Sequence, residues 1–159
     1  MAWLKCQNTK PVPPIPTTAF VNDVSRSAPI SGSHEAHDKS LTIDTRNVAS
    51  MTVNVTYFVR ADATGSSGSW ESYAQTIASF TFAVDGVTKL STGNISVSST
   101  NQGEQRDTRT ASYNLSDLPR GNCVFDYNVW IESFYQNGEQ LDTFGEAQIS
   151  FSFSNIVYK

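Results

Sequence analysis

Apolar and polar residues alternate along much of the chain after residue 40. Residues 51–59 and 123–131 carry an apolar side chain at nearly every second position, and residues 147–153 alternate large apolar side chains with serine or glutamine. Because the side chains of a β-strand point alternately to opposite faces, this period of two predicts strands with one buried and one wet face. The pattern begins at Leu41, where we predict the first strand of the domain.

Turn signals divide this region into seven or eight strands. Asp-Gly at 85–86 and Asn-Gly at 137–138 are dipeptides typical of two-residue hairpin turns. The alternation slips by one near residues 92–94, which predicts a bulge or a short break, and residues 73–84 and 108–115 supply further strands. Strands at this spacing without intervening helices predict an all-β fold, an antiparallel β-sandwich that is either immunoglobulin-like or jelly-roll-like.

Residues 1–38 differ from the rest of the chain. Four of the six prolines fall within residues 11–16, and because proline fixes φ and lacks an N–H, this stretch is predicted to run as extended polyproline II. Residues 22–40 are polar and show no sustained period, which predicts a loop or linker. We therefore divide the chain into an extended N-terminal arm and linker, residues 1–38, and a β-sandwich domain, residues 39–159.

Sizeable apolar side chains in the arm favour an arm that becomes ordered on a neighbouring subunit, the alternative being a disordered tail. A purely solvated tail would have little use for them. The predicted partner-binding residues of the arm are Trp3, Leu4, Val12, Ile15 and Phe20.

Charge and length narrow the range of partners. The 159 residues carry a net charge of −4, and only 16% of them are charged, which gives no basic surface for nucleic acid or an anionic membrane. No apolar run approaches the roughly 20 residues that cross a bilayer. The first residues lack the apolar stretch of a signal peptide, so we expect synthesis in the cytoplasm, where Cys6 and Cys123 stay reduced.

Few side chains have the spacing that catalysis or metal binding requires. The segment 34–38, His-Glu-Ala-His-Asp, has its histidines three apart in a predicted loop, unlike the helical zinc-protease pattern, and is predicted to be a solvated polar loop. Cys123 is predicted to be a buried apolar residue, and Asp142 and Glu146 are predicted to be solvated charges. We predict no catalytic residue, no metal, no cofactor and no enzymatic activity.

Four aromatic residues are candidates for contact with a partner or a glycan. If the alternating apolar residues of 123–131 point inward, Trp130 and Phe134 project from the opposite face, where exposed aromatics often mark contact sites. The alternative is that a second layer or the arm covers this face. Trp70 and Tyr73 stand at the end of a Gly/Ser-rich loop, as a ligand platform or as an anchor of the loop.

Two segments resemble known families. Residues 113–121, followed by Phe125, Tyr127 and Val129, resemble the corner between strands E and F of immunoglobulin-like and fibronectin type III-like domains, without the antibody disulfide. The opening Met-Ala-Trp-Leu-Lys-Cys resembles the first residues of small structural or tail-associated proteins of phages and prophages of Gram-positive bacteria. This second resemblance implies a sandwich module that decorates a capsid or builds a tail or baseplate, with arms that lace neighbours together.

The leading hypothesis is a non-enzymatic virion protein of a bacteriophage, either a capsid decoration subunit or a tail or baseplate subunit. Its partners would be other virion proteins and further copies of itself, and it would reside in the virion after synthesis in the host cytoplasm. The alternative is a carbohydrate-binding module that recognises a host surface glycan through Trp70, Tyr73 or Trp130.

Overall fold

The computed structural model describes residues 11–27, 33–63, 73–100, 103–136 and 143–159. These ranges contain nine strands, and the prediction of an all-β chain is confirmed for them. None of the described residues forms a helix that could span a membrane. The strands are β1 (Phe20–Ser27), β2 (Ser33–Asp44), β3 (Val48–Ala63), β4 (Tyr73–Val84), β5 (Val87–Ser91), β6 (Ile95–Thr100), β7 (Gly103–Leu115), β8 (Asn122–Gln136) and β9 (Thr143–Tyr158).

The strands form two antiparallel sheets that enclose one core. Sheet A has the order β1-β9-β3-β7, and sheet B has the order β2-β8-β4-β5, with β6 also paired to β4. Buried apolar residues from both sheets belong to one cluster between them, so the two sheets pack face to face as a sandwich. The predicted antiparallel sandwich is therefore confirmed.

The strand pairings are nested around the middle of the chain. β1 pairs with β9, β2 with β8, β3 with β7, and β4 with β5 and β6. Consecutive strands β1 to β4 alternate between the two sheets, so the chain resembles one long hairpin rolled into a sandwich. This is the order of a jelly roll, whereas an immunoglobulin-like sandwich keeps its first two strands in the same sheet. The strand order thus selects the jelly-roll-like alternative.

Two strands lie where the sequence predicted loop and linker. β1 and most of β2 fall within residues 20–40, and the prediction of a loop over 22–40, with the first strand at Leu41, is wrong. The reason is that both are edge strands: among the described strands, β1 is hydrogen-bonded only to β9, and β2 only to β8. At the open margin of the sandwich, β2 can direct Glu35, His37 and Lys39 toward the gap between the sheets without burying them, so no apolar alternation is required.

A buried asparagine connects the two sheets at this margin. Asn22 of β1 is completely buried, and its Nδ2 donates hydrogen bonds to the backbone oxygens of His37, at 2.9 Å, and Tyr127, at 2.8 Å. A buried amide without partners costs free energy, so these two bonds favour the arrangement in which β1 covers β2 and β8. A polar residue that the sequence could only place in a loop thus joins sheet A to sheet B.

The turns predicted near the middle of the chain are confirmed. Asp85 and Gly86 have φ of 47° and 74°, which matches a two-residue hairpin turn with two positive φ values between β4 and β5. The predicted break at residues 92–94 separates β5 from β6, and the Thr92 hydroxyl accepts a hydrogen bond from the Phe80 N–H at 2.9 Å. The predicted turn at residues 137–138 lies outside the described residues.

The described part of the N-terminal arm packs on the chain's own sandwich. Residues 11–17 have no regular secondary structure, and Ile15 is 4% exposed within the core cluster. Phe20 opens β1, and its ring centroid lies 5.3 Å from that of Phe151. The structure therefore corrects the expectation for these two residues, because both contact this chain instead of being left free for a neighbour. Trp3 and Leu4 lie outside the described residues.

At one end of the sandwich interior the side chains are small or polar. Gly145 of β9 faces Thr76 of β4 and Ser133 of β8, which are completely buried. The hydroxyls of Thr76 and Ser133 have no hydrogen-bond partner among the described residues. A Cβ atom on Gly145 would lie 2.5 Å from the Thr76 Oγ1 and 2.8 Å from the Ser133 Oγ, so glycine is required for the sheets to approach here.

Replacing Gly145 with alanine should destabilise the fold by about 2 kcal/mol or more, because the methyl group has no space between the sheets. Gly93 provides the control, since a Cβ there meets nothing within 4 Å. Urea unfolding of both variants measures the difference. Equal stability of Gly145→Ala and Gly93→Ala would show that the sheets can separate locally without cost.

Replacing Ile15 with alanine should lower the free energy of unfolding by about 3 kcal/mol, because it removes a side chain buried in the core. The exposed Val87, at 57%, is the control, and Val87→Ala should change stability by less than about 0.5 kcal/mol. Thermal unfolding followed by circular dichroism would compare them. An Ile15→Ala variant as stable as Val87→Ala would mean that the arm is not docked in solution.

Candidate functional site

The outer face of sheet B carries aromatic residues that the sequence predicted to point outward. Along β8, Phe125, Val129 and Ile131 are at most 1% exposed and point into the core. Trp130 and Phe134 occupy the opposite parity and are only partly buried, so their predicted outward direction is confirmed. Neither the arm nor a second layer covers them within the described part of the chain, where the only two layers are sheets A and B.

Strand register brings Tyr73 to the same face. Tyr73 of β4 is paired with Gln136, and Gln75 is paired with Phe134, so Tyr73 lies one row beyond Phe134 on the outer surface. Ile77 and Ser79 continue the outward positions of β4, with Ser79 opposite Trp130. Trp70 lies outside the described residues. This face therefore presents the aromatic side chains of Tyr73, Trp130 and Phe134, together with Ile77.

A shallow groove of about 200 Å³ lies beside Trp130. β2, β8 and β4 lie side by side here and supply its walls, with Asp38 opposite Asn128 and Asn128 opposite Thr81 in the register of the sheet. The His34 ring lies near the Trp130 indole and roughly parallel to it, with centroids 6.2 Å apart and an interplanar angle of 25°. The groove is lined by Ala36, Asp38, Ser79, Thr81, Asn128, Val129 and Trp130.

Sequence reasoning found Trp130 but not the polar residues around it. Asn128 stands two positions before Trp130 and therefore shares its outward parity, which is a signal that the sequence contained. Asp38 could not be placed, because the segment that contains it was predicted to be a loop instead of strand β2. Its position beside Asn128 depends on the long-range pairing of β2 with β8.

The outer face of sheet A presents hydroxyl and amide groups that bond to one another. Thr52 donates to Asn114 at 2.9 Å, Ser112 donates to the Asn54 Oδ1 at 2.9 Å, and Asn54 donates to Ser154 at 2.8 Å. These bonds run across β7, β3 and β9. This part of the face is flat and polar, and its hydrogen-bonding groups are largely paired within the chain.

Charged residues gather at the other end of the same face. The Arg60 guanidinium lies 3.1 Å from Glu104, 3.2 Å from Glu146 and 3.6 Å from Asp62. Burial raises the pKa of Glu146, the adjacent Asp23 carboxylate raises it further, and Arg60 acts in the opposite direction. The prediction that Glu146 is merely a solvated charge is therefore wrong, because its side chain is only 15% exposed and paired. Asp142 lies outside the described residues.

The histidine segment 34–38 forms part of β2 instead of a loop. His37 is paired with Glu35 on the same strand. His34 lies on the opposite face of β2, where its ring stacks near that of Trp130. Among the described residues there is no group of three His, Cys, Asp or Glu side chains arranged to hold a metal ion.

Cys123 begins the buried side of β8 and is completely buried, as predicted. Burial, with a smaller contribution from Asp85, raises the pKa of its thiol to about 12. The thiol is therefore protonated at neutral pH, which is the unreactive form. Cys6 lies outside the described residues.

No family model matches the chain, and no curated protein matches it. Among solved structures it is similar to infectious bursal disease virus, Gx strain, at 7% identity and a TM-score of 0.37 over 86% of this chain, which spans only 32% of that chain. Broad bean stain virus matches at 13% identity and a TM-score of 0.30, covering 92% of this chain and 94% of that one. Desmodium yellow mottle tymovirus matches at 10% and 0.23, covering 96% and 98%. These are structures of viruses, but at such TM-scores the fold assignment rests on the strand order alone.

Asp23→Asn should stabilise the chain by about 0.5 kcal/mol at pH 7, because it removes a carboxylate that repels Glu146. The raised pKa of Glu146 means that its contribution is most favourable below the ordinary glutamate pKa and is lost as the pH rises through the raised value. The gain from Asp23→Asn should therefore vanish near pH 3. Urea unfolding at both pH values measures it.

The control for this experiment is Asp117→Asn, since Asp117 is exposed and has no ion pair or hydrogen bond among the described residues. This variant makes the same change in net charge. A gain from Asp117→Asn equal to that from Asp23→Asn would attribute the effect to total charge and contradict the Asp23–Glu146 repulsion.

Proposed function

We propose that this chain is a non-enzymatic structural protein of a virus particle, made by a bacteriophage and used as a capsid decoration subunit or as a tail or baseplate subunit. The observation that carries the proposal is the nested strand pairing, which makes the chain a jelly roll. Two-sheet jelly rolls are an architecture of viral capsid domains as well as of lectins. The N-terminal resemblance to phage virion proteins agrees with this proposal and is the reason for proposing a bacteriophage as the virus.

The anchored arm supports a role in assembly. Ile15 is fixed in the core at the end of the sandwich where Asp44, Asn47 and Tyr158 also lie, around a groove of about 180 Å³. The prolines before it have no N–H and cannot extend a sheet. We propose that the residues preceding Pro11, including Trp3 and Leu4, bind a neighbouring subunit, with Val12 beside that contact in the groove.

The charged free edge of sheet A favours contacts between copies through other surfaces. β7 pairs only with β3 and leaves a 13-residue edge, along which Arg106, Asp107 and Arg109 place charges. Charged side chains on an edge strand disfavour unlimited strand addition, so contacts between copies would be made through faces and arms. On a repeating particle, weak single contacts of this kind add through avidity.

A role without catalysis fits the chemistry of the described residues. Cys123 is buried with a raised thiol pKa, so it is poorly suited to be a nucleophile. His37 is paired with Glu35 on an edge strand, and His34 packs on Trp130. These groups are engaged in packing or pairing, which supports a structural function.

Deleting residues 1–10 should abolish incorporation into particles while leaving the fold intact, because Ile15 and the strands are retained. The measurement is antibody detection of the full and truncated chains in density-purified particles of the phage that encodes them, with thermal unfolding of each purified chain. Normal incorporation of the truncated chain would contradict the role of the arm, and absence of the full chain from particles would contradict the virion assignment.

Side-chain variants test whether incorporation depends on the apolar side chains of the arm or only on its length. Replacing Trp3 and Leu4 together with alanine should reproduce the deletion, because the apolar side chains supply the burial that drives binding. Lys5→Ala, in the same segment, is the matched control and should be incorporated normally. Sedimentation velocity of the full chain would reveal whether the arm also drives self-association.

A further inference from the structure

We propose that the groove beside Trp130 is a binding site for one neutral pyranose ring of a glycan. The site is formed by Trp130, Asp38, Asn128, Ser79 and Thr81 on the outer face of sheet B. This inference is drawn from the surface of the sandwich and holds whether or not the chain is a virion protein. The sequence associated a glycan with several separate aromatic residues, whereas this proposal places the glycan at one location.

The polar groups of the groove differ from those on the opposite sheet. On sheet A, the side chains of Thr52, Asn54 and Asn114 are joined by hydrogen bonds to one another or to neighbouring serines. In the groove, the side chains of Asp38, Asn128, Ser79 and Thr81 make no hydrogen bond or ion pair with any described residue. Their donors and acceptors are therefore available to a ligand without first breaking a bond within the protein.

The combination of groups suits a sugar ring. The apolar C–H face of a pyranose packs against an aromatic ring, and the partly buried Trp130 indole provides such a ring beside His34. A carboxylate and an amide, here Asp38 and Asn128, can bind adjacent hydroxyls, and two further hydroxyls come from β4. At about 200 Å³ the groove is smaller than the roughly 300–1,000 Å³ of pockets for drug-sized ligands, which limits it to a single ring.

Charge decides which glycans fit. The outward positions of β2, β8 and β4 around the groove carry Asp38, Asp126 and Glu132, and no lysine or arginine stands among the outward positions of these strands that the structure describes. Among the described outward positions of these three strands, His34 is the only titratable group of basic character. A carboxylated, sulfated or phosphorylated sugar would be repelled, so the site favours a neutral hexose or N-acetylhexosamine.

The test is a titration of the full chain with methyl glycosides of glucose, galactose, mannose and N-acetylglucosamine, followed by the NMR signal of the Trp130 indole N–H. That signal is assigned by its loss in Trp130→Phe. We expect at least one neutral glycoside to produce a saturable shift with a dissociation constant on the order of 1 mM, as a single shallow contact allows. Methyl glucuronide should bind at least about tenfold more weakly because of its charge.

Asp38→Asn and Asn128→Ala should each weaken binding about tenfold or more, since the first replaces a charged acceptor with an amide and the second removes hydrogen bonds to the ring. Phe134→Ala, on the same strand but outside the groove, and Ser152→Ala, on the opposite sheet, are controls that should bind normally. Thermal unfolding establishes that every variant is folded.

Three results would overturn the proposal: no shift with any neutral glycoside, unchanged affinity in both groove variants, or equal affinity for the glucuronide. If Trp130→Phe and Asp38→Asn instead reduce self-association or particle incorporation while no glycoside binds, the groove is a protein contact. Incorporation of the chain into particles is measured separately, so failure of glycan binding leaves the virion proposal standing.

Discussion

The ring of Phe151 is the contact on which the sandwich depends. It lies on β9, between β1 and β3, and its centroid is within 6 Å of aromatic rings on three other elements: Phe20 on β1, Phe82 on β4, and Phe125 and Tyr127 on β8. Because β1 is the first and β9 the last of the described strands, this cluster cannot form until two segments that are distant in sequence meet. Such long-range closure makes folding slow relative to local hairpins but holds both sheets through one set of rings.

Nested pairing also decides what the surfaces can do. The inner faces of both sheets form the core, so contacts with other molecules are left to the two outer faces and the free edges. The sheet A face joins its hydroxyls and amides to one another and gathers its charges around Arg60, whereas the side chains of Asp38, Asn128, Ser79 and Thr81 on the sheet B face make no hydrogen bond or ion pair with a described residue. The two faces of one sandwich therefore differ in how far their polar groups are paired within the chain.

The N-terminal arm shows that composition alone does not locate the contacts of a segment. Its prolines predicted an extended segment, and residues 11–17 have no regular secondary structure. Apolar content alone could not say whether Ile15 and Phe20 contact this chain or another, since burial in either place gives the same free energy per area. In the structure both residues contact this chain's own sandwich.

Local pattern by itself determined the central strands, the turn at Asp85 and Gly86, and the outward direction of Trp130 and Phe134, because alternation and turn preference act between near neighbours in sequence. Only the tertiary structure decided that polar residues 33–40 form an edge strand, that Asn22 bridges the sheets, and that Asp38 lies beside Asn128. Edge strands face water or the open margin of a core, so they need no apolar alternation. The pairing of β2 with β8 joins residues about 90 positions apart, and such a pairing leaves no trace in the local sequence. The groove consists of groups that this pairing brings together, and for that reason sequence reasoning identified its aromatic wall and missed its polar one.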